Sequence, residues 1–207
     1  MPNPWLSVPL SDYEAHINSA EVAQCRPLSD LFAAAMDYRR PPSVAILGLA
    51  GGNGLERIDP NWTTRVVGVD LNPSYLEAAH QRFASALNLQ LHCMDLAKVA
   101  AHLEPVELVH AALLFEHAGV GLCLENALRL VAPGGALSIV LQLPGDSSPN
   151  VAATPFASIQ QLAPHFALVD PVWLRQRIET SGFCFQSESR KSLPGGKAFW
   201  MGIFART

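Results

Sequence analysis

The chain has 207 residues, of which 49% are hydrophobic and 15% charged, so we expect one buried α/β core and no extensive disorder. Its formal net charge of -4 argues against a nucleic-acid partner, because phosphate binding needs a basic surface. No apolar run reaches the length of a membrane span and the N-terminus lacks a signal-peptide pattern, so we expect a cytoplasmic protein with no membrane partner.

Residues 1–40 predict a helical N-terminal extension. Ser11 and Glu14 have the spacing of a capping box, which predicts that a helix begins there. Pro27 is expected to interrupt this helix, and a second helix is predicted from Leu28 to Tyr38.

From Ser43 the chain alternates strands and helices. The first apolar runs are short and unbroken, as is typical of parallel strands buried on both faces. Strands are predicted at 44–47, 66–69, 89–94, 106–114 and 136–143. Helices are predicted from Pro73, where Asn72 supplies a cap, at 97–103, at 122–131, and after Asp170-Pro171 up to Gly182.

Two final strands are predicted at 183–189 and 198–205, and their connection is too short for a crossover helix, so they must be antiparallel. The polar, proline-bearing residues 144–169 interrupt the alternation. The sequence therefore predicts a single α/β domain over residues 1–207. We expect a three-layer α-β-α sandwich with a seven-stranded, mostly parallel sheet, its last strand antiparallel.

The cysteines are scattered and have no C-x-x-C spacing: Cys25, Cys93, Cys123 and Cys184. This usage is typical of reduced thiols in a cytosolic protein. We therefore predict no metal site.

The strongest chemical signal is the loop GLAGGNG at residues 48–54, directly after the first strand. Glycine permits a positive φ and a close approach of the backbone to a ligand, and open α/β sheets bind nucleotides at this place. The alternative is a tight strand-to-helix turn without a ligand.

Acidic residues follow the next two strands. Asp70 ends the second strand, where a carboxylate can accept hydrogen bonds from both ribose hydroxyls of an adenosine. Asp95 ends the third and could accept from an adenine amine while the next backbone N–H meets a ring nitrogen. Either residue could instead cap the segment that follows it.

The order GLAGGNG, VVGVDLNPSYLEAA, LHCMDL, LLFEHA and LVAPGGALSIVL resembles class I S-adenosylmethionine-dependent methyltransferases, which are Rossmann-like, over about residues 44–143. The resemblance implies S-adenosyl-L-methionine as cofactor. The cofactor-binding residues it implies are Gly48, Ala50, Gly52, Asn53, Gly54, Asp70, Leu71, Asp95, Leu96, Leu114 and Phe115.

The loop departs from the family pattern. Gly48 stands where family members carry an acid that helps to hold the cofactor's amino group, and Ala50 replaces the first glycine. Glu56 or an N-terminal residue would have to take over that role. The short segment from Gly54 to Arg65 leaves room for one or two helical turns.

Candidate catalytic residues follow the fourth strand. His117 could act as a general base for an acceptor that must lose a proton, and Glu116 could orient an amine. The alternative is that His117 packs under the following helix. Tyr13, His16 and Phe156 are candidate substrate contacts, because the N-terminal helices of related enzymes form a lid and residues 144–169 are predicted to lie on the substrate side.

The sequence therefore predicts in-line transfer of a methyl group from S-adenosylmethionine to a small-molecule acceptor, which the sequence does not identify. One alternative is a non-catalytic cofactor-binding or scaffold protein with the same fold. A less favoured alternative, an NAD-dependent oxidoreductase, lacks its G-x-G-x-x-G pattern here, since Arg57 stands at the third glycine position.

Overall fold

A seven-stranded sheet forms the centre of the computed structural model, which describes residues 3–145, 150–152 and 154–207. The strands are β1 Ser43–Leu47, β2 Arg65–Asp70, β3 Leu89–Cys93, β4 Val106–Ala112, β5 Val131–Leu143, β6 Phe183–Ser192 and β7 Ala198–Arg206. The α-helices are α1 Leu10–Asn18, α2 Cys25–Arg39, α3 Pro73–Phe83, α4 Phe115–Ala118, α5 Gly121–Leu130, α6 Ala157–Gln160 and α7 Pro171–Glu179. Single 3-10 turns occur at Pro4–Ser7, Leu55–Arg57, Ala163–His165 and Pro194–Gly196.

The strand order is β3-β2-β1-β4-β5-β7-β6. The first five strands pair in parallel, whereas β7 is antiparallel to both β5 and β6. This confirms the predicted fold class. Because the chain crosses from β3 back to β4 beside β1, the order reverses at β1, and such a reversal opens a crevice at the carboxyl ends of the strands.

The sheet separates two apolar layers because alternate strand residues point to opposite faces. Ala45 and Leu47 belong to a cluster with α5 and α7, whereas Val44 and Ile46 belong to a cluster with α2 and α3. Helix α2 is therefore a layer of the sandwich, although its residues were predicted as part of the N-terminal extension.

The helix boundaries near the N-terminus differ from the prediction. Helix α1 begins at Leu10 after Pro9, so Ser11 does not cap it. Pro27 does not interrupt a helix but lies in the first turn of α2, where the missing N–H of proline has no intrahelical partner to lose. The prediction for Pro27 was wrong because the same residue type stops a helix interior and starts a helix.

The predicted helix at 97–103 does not form; the chain makes a turn at 96–98. Asn126 of α5 explains the difference. Its side chain accepts from Ala101 N at 2.8 Å and donates to Leu96 O at 2.9 Å and Val99 O at 2.8 Å. A tertiary partner thus satisfies backbone groups that helical hydrogen bonds would otherwise have satisfied.

A cap covers the carboxyl edge of the sheet. We use "cap" for residues 3–18 together with 150–152 and 154–166. It has an apolar cluster of its own, built on Val8, Ile159 and Leu162 with Trp5 and Phe156 packed against it. Residues 146–149 and 153 of the predicted substrate-side segment lie outside the described residues.

No helix within the described ranges is both long enough and apolar enough to cross a membrane. The four cysteines are free, and within those same ranges no group of three or more His, Cys, Asp or Glu residues could hold a metal ion.

Candidate functional site

A cleft opens between the cap and the carboxyl ends of the parallel strands. The carboxyl ends of five strands and the loops that follow four of them contribute to its wall. The residues are Gly48 and Ala50 after β1, Asp70 at the end of β2 and Leu71 after it, Met94 to Leu96 after β3, Leu113 and Leu114 after β4, and Gln142 near the end of β5. The cap contributes residues that include Trp5, Tyr13, His16, Ile159 and Phe166. The site therefore lies where the strand order reverses.

The glycine-rich loop reaches the cleft through its first residues. Gly48 has φ 76° and Ala50 has φ 48°, so the backbone is left-handed at both positions. Leu113, across the cleft after β4, is also left-handed with φ 54°. A left-handed backbone is costly for a residue with a side chain and persists only where the surrounding structure holds it. Of the left-handed residues with a side chain, Ala50 and Leu113 line the cleft, whereas Ala23 and Arg40 lie outside it.

Asp70 ties the first two loops together. Its Oδ2 accepts from Ala50 N at 2.9 Å and its Oδ1 accepts from Asn72 N at 2.8 Å. Burial raises the pKa of Asp70, while backbone N–H donors, including that of Leu71, act in the opposite direction. These backbone donors use up to three of the roughly four lone-pair sites of the carboxylate, so it can still accept from a donor in the cleft, which would stabilise the charged form.

Asp95 lies on the same cleft. Its Oδ1 accepts from Ala97 N at 3.1 Å, and its Oδ2 lies 3.1 Å from Lys98 Nζ. Its side chain retains 20% exposure. The capping role considered from the sequence is therefore present, and the structure also brings Asp95 and Asp70 to one cavity.

Four residues of the predicted cofactor set do not line the cleft. A Cβ at Gly52 would meet Phe83, and one at Gly54 would meet Phe32, so these two glycines permit close packing. Asn53 faces outward, and its Nδ2 donates to Cys25 O at 3.0 Å. Phe115 is 2% exposed and belongs to the core.

Glu56 does not replace the missing acid in the cleft. Its carboxylate accepts from Gly54 N at 2.8 Å and from Ser29 Oγ at 2.6 Å, outside the lining. Neutral amides lie on the cleft instead: Gln24 Nε2 donates to Gln142 Oε1 at 3.2 Å. Glu56 therefore does not supply a carboxylate in place of the missing loop acid.

His117 lines the cleft and Glu116 lies behind it. Burial lowers the pKa of His117 to about 4, so its imidazole is neutral at pH 7, and its Nδ1 is buried without a hydrogen-bond partner among the described residues. Glu116 is 2% exposed; its Oε1 accepts from Gln142 N at 2.8 Å, and its Oε2 has no partner in the described structure. Glu116 is therefore placed to support the site and not to touch a ligand in the cleft.

Residues 44–135, which carry the loop, both acids and His117, match the family model for a methyltransferase domain. This stretch of the chain is therefore similar to methyltransferase domains. The chain as a whole has the Rossmann-like fold expected from the resemblance. No curated protein matches the chain in sequence.

Solved methyltransferase structures share this fold at low sequence identity. The N-methyltransferase NodS from Bradyrhizobium japonicum WM9, in complex with S-adenosyl-L-homocysteine, aligns with a TM-score of 0.69 and 15% identity over 99% of this chain and 98% of its own. Magnesium protoporphyrin IX methyltransferase (ChlM) from Synechocystis PCC 6803, with bound SAM, gives 0.65 and 13% over 90% and 81%. The [4+2]-cyclase SpnF gives 0.66 and 12% over 89% and 81%. Such identities show the fold alone.

The cap lies outside the matched residues of the methyltransferase domain, yet it supplies much of the cleft. Tyr13 and His16, the candidate substrate contacts, line the cleft, and burial raises the pKa of Tyr13 and lowers that of His16. Phe156 does not line it but packs in the apolar cluster of the cap.

Sequence reasoning missed Gln24 and Gln142 on the cleft. Neither residue belongs to a local motif, because its place on the cleft depends on how distant parts of the chain pack together. Phe166 also lines the cleft, and it belongs to the segment 144–169 that was predicted to lie on the substrate side. For Trp5, the sequence alone does not distinguish a core position from a site position.

Proposed function

We propose that this chain transfers a methyl group from S-adenosyl-L-methionine to a small-molecule acceptor. The match of residues 44–135 to a methyltransferase-domain model and the shared fold support an S-adenosylmethionine-dependent enzyme. The acceptor class, the in-line geometry and the roles of individual residues are also part of the proposal.

One observation supports the proposal most strongly: Gly48, Ala50, Asp70 and Asp95, from three separate strand ends, line one cleft. Asp70 retains lone-pair capacity for a ribose hydroxyl, and Leu71, Met94 and Leu96 offer apolar contacts to a flat base. The cofactor therefore fits the residues present at its adenosine end.

The amino-acid end of the cofactor would meet neutral groups. Gln24, Gln142 and His16 line the cleft, and none of them supplies the acid that family members carry at the position of Gly48. Amide oxygens can accept from an ammonium group, although more weakly than a carboxylate does. We therefore expect this end to be held less tightly than the ribose.

The chemistry supplied by the cofactor is a methyl group on a sulfonium, which a nucleophile displaces in line. The protein's task is to orient the acceptor and exclude water. The cap excludes water, because Tyr75 Oη donates to Val8 O at 3.0 Å and Asn72 Nδ2 donates to Trp5 O at 2.9 Å, which fastens the cap beside the cleft. His117 is the candidate acceptor contact, and Glu116 is a candidate positioning residue.

A non-catalytic cofactor-binding or scaffold protein remains the second candidate, because the loop acid is absent. The [4+2]-cyclase SpnF illustrates that this fold also occurs under a different enzyme name. Cofactor binding and methyl transfer therefore need separate measurements.

The first prediction concerns Asp70. We expect Asp70→Asn to weaken S-adenosyl-L-homocysteine binding by roughly tenfold or more in calorimetry, because the amide loses charge-assisted hydrogen bonds to the ribose. Asparagine is preferable to alanine, since Asp70 also accepts from Ala50 N and Asn72 N and its side chain holds the loops together.

Asp59→Asn is the matched control. Asp59 also accepts from a nearby backbone N–H, that of Asn61 at 2.9 Å, but it lies outside the cleft. Unchanged binding in Asp70→Asn would remove the ribose assignment. Absence of binding by the wild type at millimolar ligand would overturn the enzymatic proposal itself.

A further inference from the structure

The charged side chains that line the cleft lie towards one end of it. In the described part of the chain, Asp70 and Asp95 are the only carboxylates in the lining, which includes no lysine or arginine. They belong to β2 and to the loop after β3, whereas His117 and Gln142 belong to the β4 and β5 side. Neighbouring strands lie roughly 5 Å apart, so the β4 and β5 side is well separated from both carboxylates.

Three aromatic rings enclose the uncharged side. The ring of His117 lies 4.8 Å from that of Trp5 at an interplanar angle of 87°, and 4.9 Å from that of Phe166 at 72°. Both are edge-to-face contacts, an arrangement that apolar aromatic groups favour. Ile159 and Leu162 extend the same apolar lining.

This aromatic enclosure offers few hydrogen-bonding groups. The described residues offer no hydrogen-bond partner to the buried Nδ1 of His117. A buried polar group without a partner is rare in proteins and is commonly satisfied by a bound molecule at a functional site.

We propose that the acceptor is an uncharged aromatic molecule that carries a hydroxyl group, with its ring beside Trp5 and Phe166 and its hydroxyl hydrogen-bonded to the imidazole of His117. This inference rests on the proposed methyltransferase function. A carboxylate or an alkylammonium beside His117 would be desolvated without an oppositely charged residue in the lining, which is costly. The buried ammonium of Lys197 lies behind the lining, where its Nζ donates to Asn150 O at 3.1 Å.

The transfer step balances with the residues present. The acceptor oxygen forms a C–O bond to the methyl carbon as the C–S bond breaks, and the electron pair of that bond stays with sulfur. The hydroxyl proton becomes strongly acidic as the new bond forms and passes to the imidazole of His117. Burial lowers the pKa of His117 to about 4, so this weak base suits an acidic leaving proton and is not suited to deprotonating an alkylammonium.

The test uses three probes with one ring system, measured by calorimetry on the full chain saturated with S-adenosyl-L-homocysteine. We expect 2-naphthol, which is neutral at pH 7, to bind about tenfold or more tightly than 2-naphthoate or 2-naphthylmethylammonium, because neither ion finds a counter-charge. Methyl transfer to each probe from S-adenosylmethionine is then measured by mass spectrometry. Equal or tighter binding of either ion would overturn the proposal.

Variants separate the ring contacts from the hydrogen bond. Trp5→Ala should weaken 2-naphthol binding about fivefold through the lost aromatic contact. Naphthalene serves as a fourth probe, which the wild type should bind less tightly than 2-naphthol. His117→Phe keeps an aromatic ring but removes both nitrogens, so it should still bind naphthalene and lose the preference for 2-naphthol over naphthalene. Trp62→Ala, an exposed tryptophan outside the cleft, is the control and should change neither value.

The order of measurements separates this inference from the proposed function. If the protein binds S-adenosyl-L-homocysteine but does not bind 2-naphthol more tightly than the two ions, the proposed acceptor class is wrong and the cofactor assignment stands. If S-adenosyl-L-homocysteine itself does not bind, the proposed function fails and the inference fails with it.

Discussion

Burial shifts the pKa values of two neighbouring residues, Glu116 and His117, in opposite directions. Burial penalises the charged form of any group, so it raises the pKa of Glu116 to about 7 and lowers that of His117 to about 4. At pH 7 the imidazole of His117 is therefore neutral, whereas the carboxyl of Glu116 is about half protonated. Protonation of Glu116 thus decides whether the end of β4 carries a charge behind the site.

The raised pKa of Glu116 predicts a pH-dependent stability. The folded state holds the proton of Glu116 more tightly than the unfolded state does, so this contribution is full below pH 4.5 and is lost as the pH rises through about 7. Glu116→Gln should remove that loss and keep the acceptor for Gln142 N. Between pH 5 and pH 8, we expect the wild type to lose up to about 3 kcal/mol of unfolding free energy relative to the variant.

Urea denaturation at the two pH values measures the difference. Glu104→Gln is the control, because the side chain of Glu104 is 89% exposed and should not alter the pH dependence. If wild type and Glu116→Gln lose stability in parallel, Glu116 does not titrate in this range in the folded protein.

At the residue scale, the sequence could predict Asp70 and Asp95 because the carboxyl ends of parallel strands meet at one edge of a sheet. It could not separate ligand-facing glycines from packing glycines. Gly48 lies on the cleft, whereas Gly52 and Gly54 face Phe83 and Phe32, which are distant in the chain. A glycine signal is the same in both cases, since each requires only the absence of a Cβ.

At the scale of elements, the strands and most helices followed from local pattern, and the cap did not. Asn72 and Asp170 cap their helices through the expected side-chain hydrogen bonds. Helix α1, by contrast, is placed by long-range contacts: Asp12 accepts from Ser158 Oγ at 2.6 Å, and Glu14 pairs with Arg82 of α3. Such partners are not visible in a local window of sequence.

The Glu14–Arg82 pair joins the cap to the glycine-rich loop, because Arg82 Nη1 also donates to Gly51 O at 3.1 Å. Both side chains are partly exposed, so Glu14→Gln should change the global unfolding free energy by no more than about 1 kcal/mol. Local opening of α1 should increase more clearly. We expect faster hydrogen exchange in α1 and faster dissociation of S-adenosyl-L-homocysteine.

Glu179→Gln is the matched control for this variant, since Glu179 pairs with Arg175 at 3.1 Å with similar exposure on α7, away from the cleft. It should leave both rates unchanged. Equal exchange rates in α1 of the wild type and Glu14→Gln would mean that the ion pair does not hold the cap.

At the scale of the whole molecule, the alternation of short apolar strands with helices was enough to predict the sandwich, because a parallel sheet must be covered on both faces. The separate apolar cluster around Val8 and Ile159 was not predictable, since its members come from two segments of the cap that are far apart in the sequence.

The sheet also contains a titratable group at its centre. His110 of β4 is 3% exposed, and its Nδ1 lies 3.1 Å from Ser138 Oγ of β5.

His110 predicts acid sensitivity of the entire fold. Burial lowers its pKa to about 4, so the folded state resists protonation that the unfolded state accepts near pH 6.5. The stability contributed by neutral His110 is therefore present above pH 6.5 and is lost as the pH falls towards 4.

The double variant His110→Leu with Ser138→Ala removes both polar partners together, which avoids leaving a buried hydroxyl unpaired. From pH 7 to pH 5, we expect the wild type to lose about 2 kcal/mol more unfolding free energy than the double variant does. Since the other titrating groups, His117 among them, are common to both proteins, their contributions cancel in this comparison. Equal losses in urea denaturation would show that protonated His110 is accommodated in the folded core, and the acid sensitivity would then have to come from another part of the molecule.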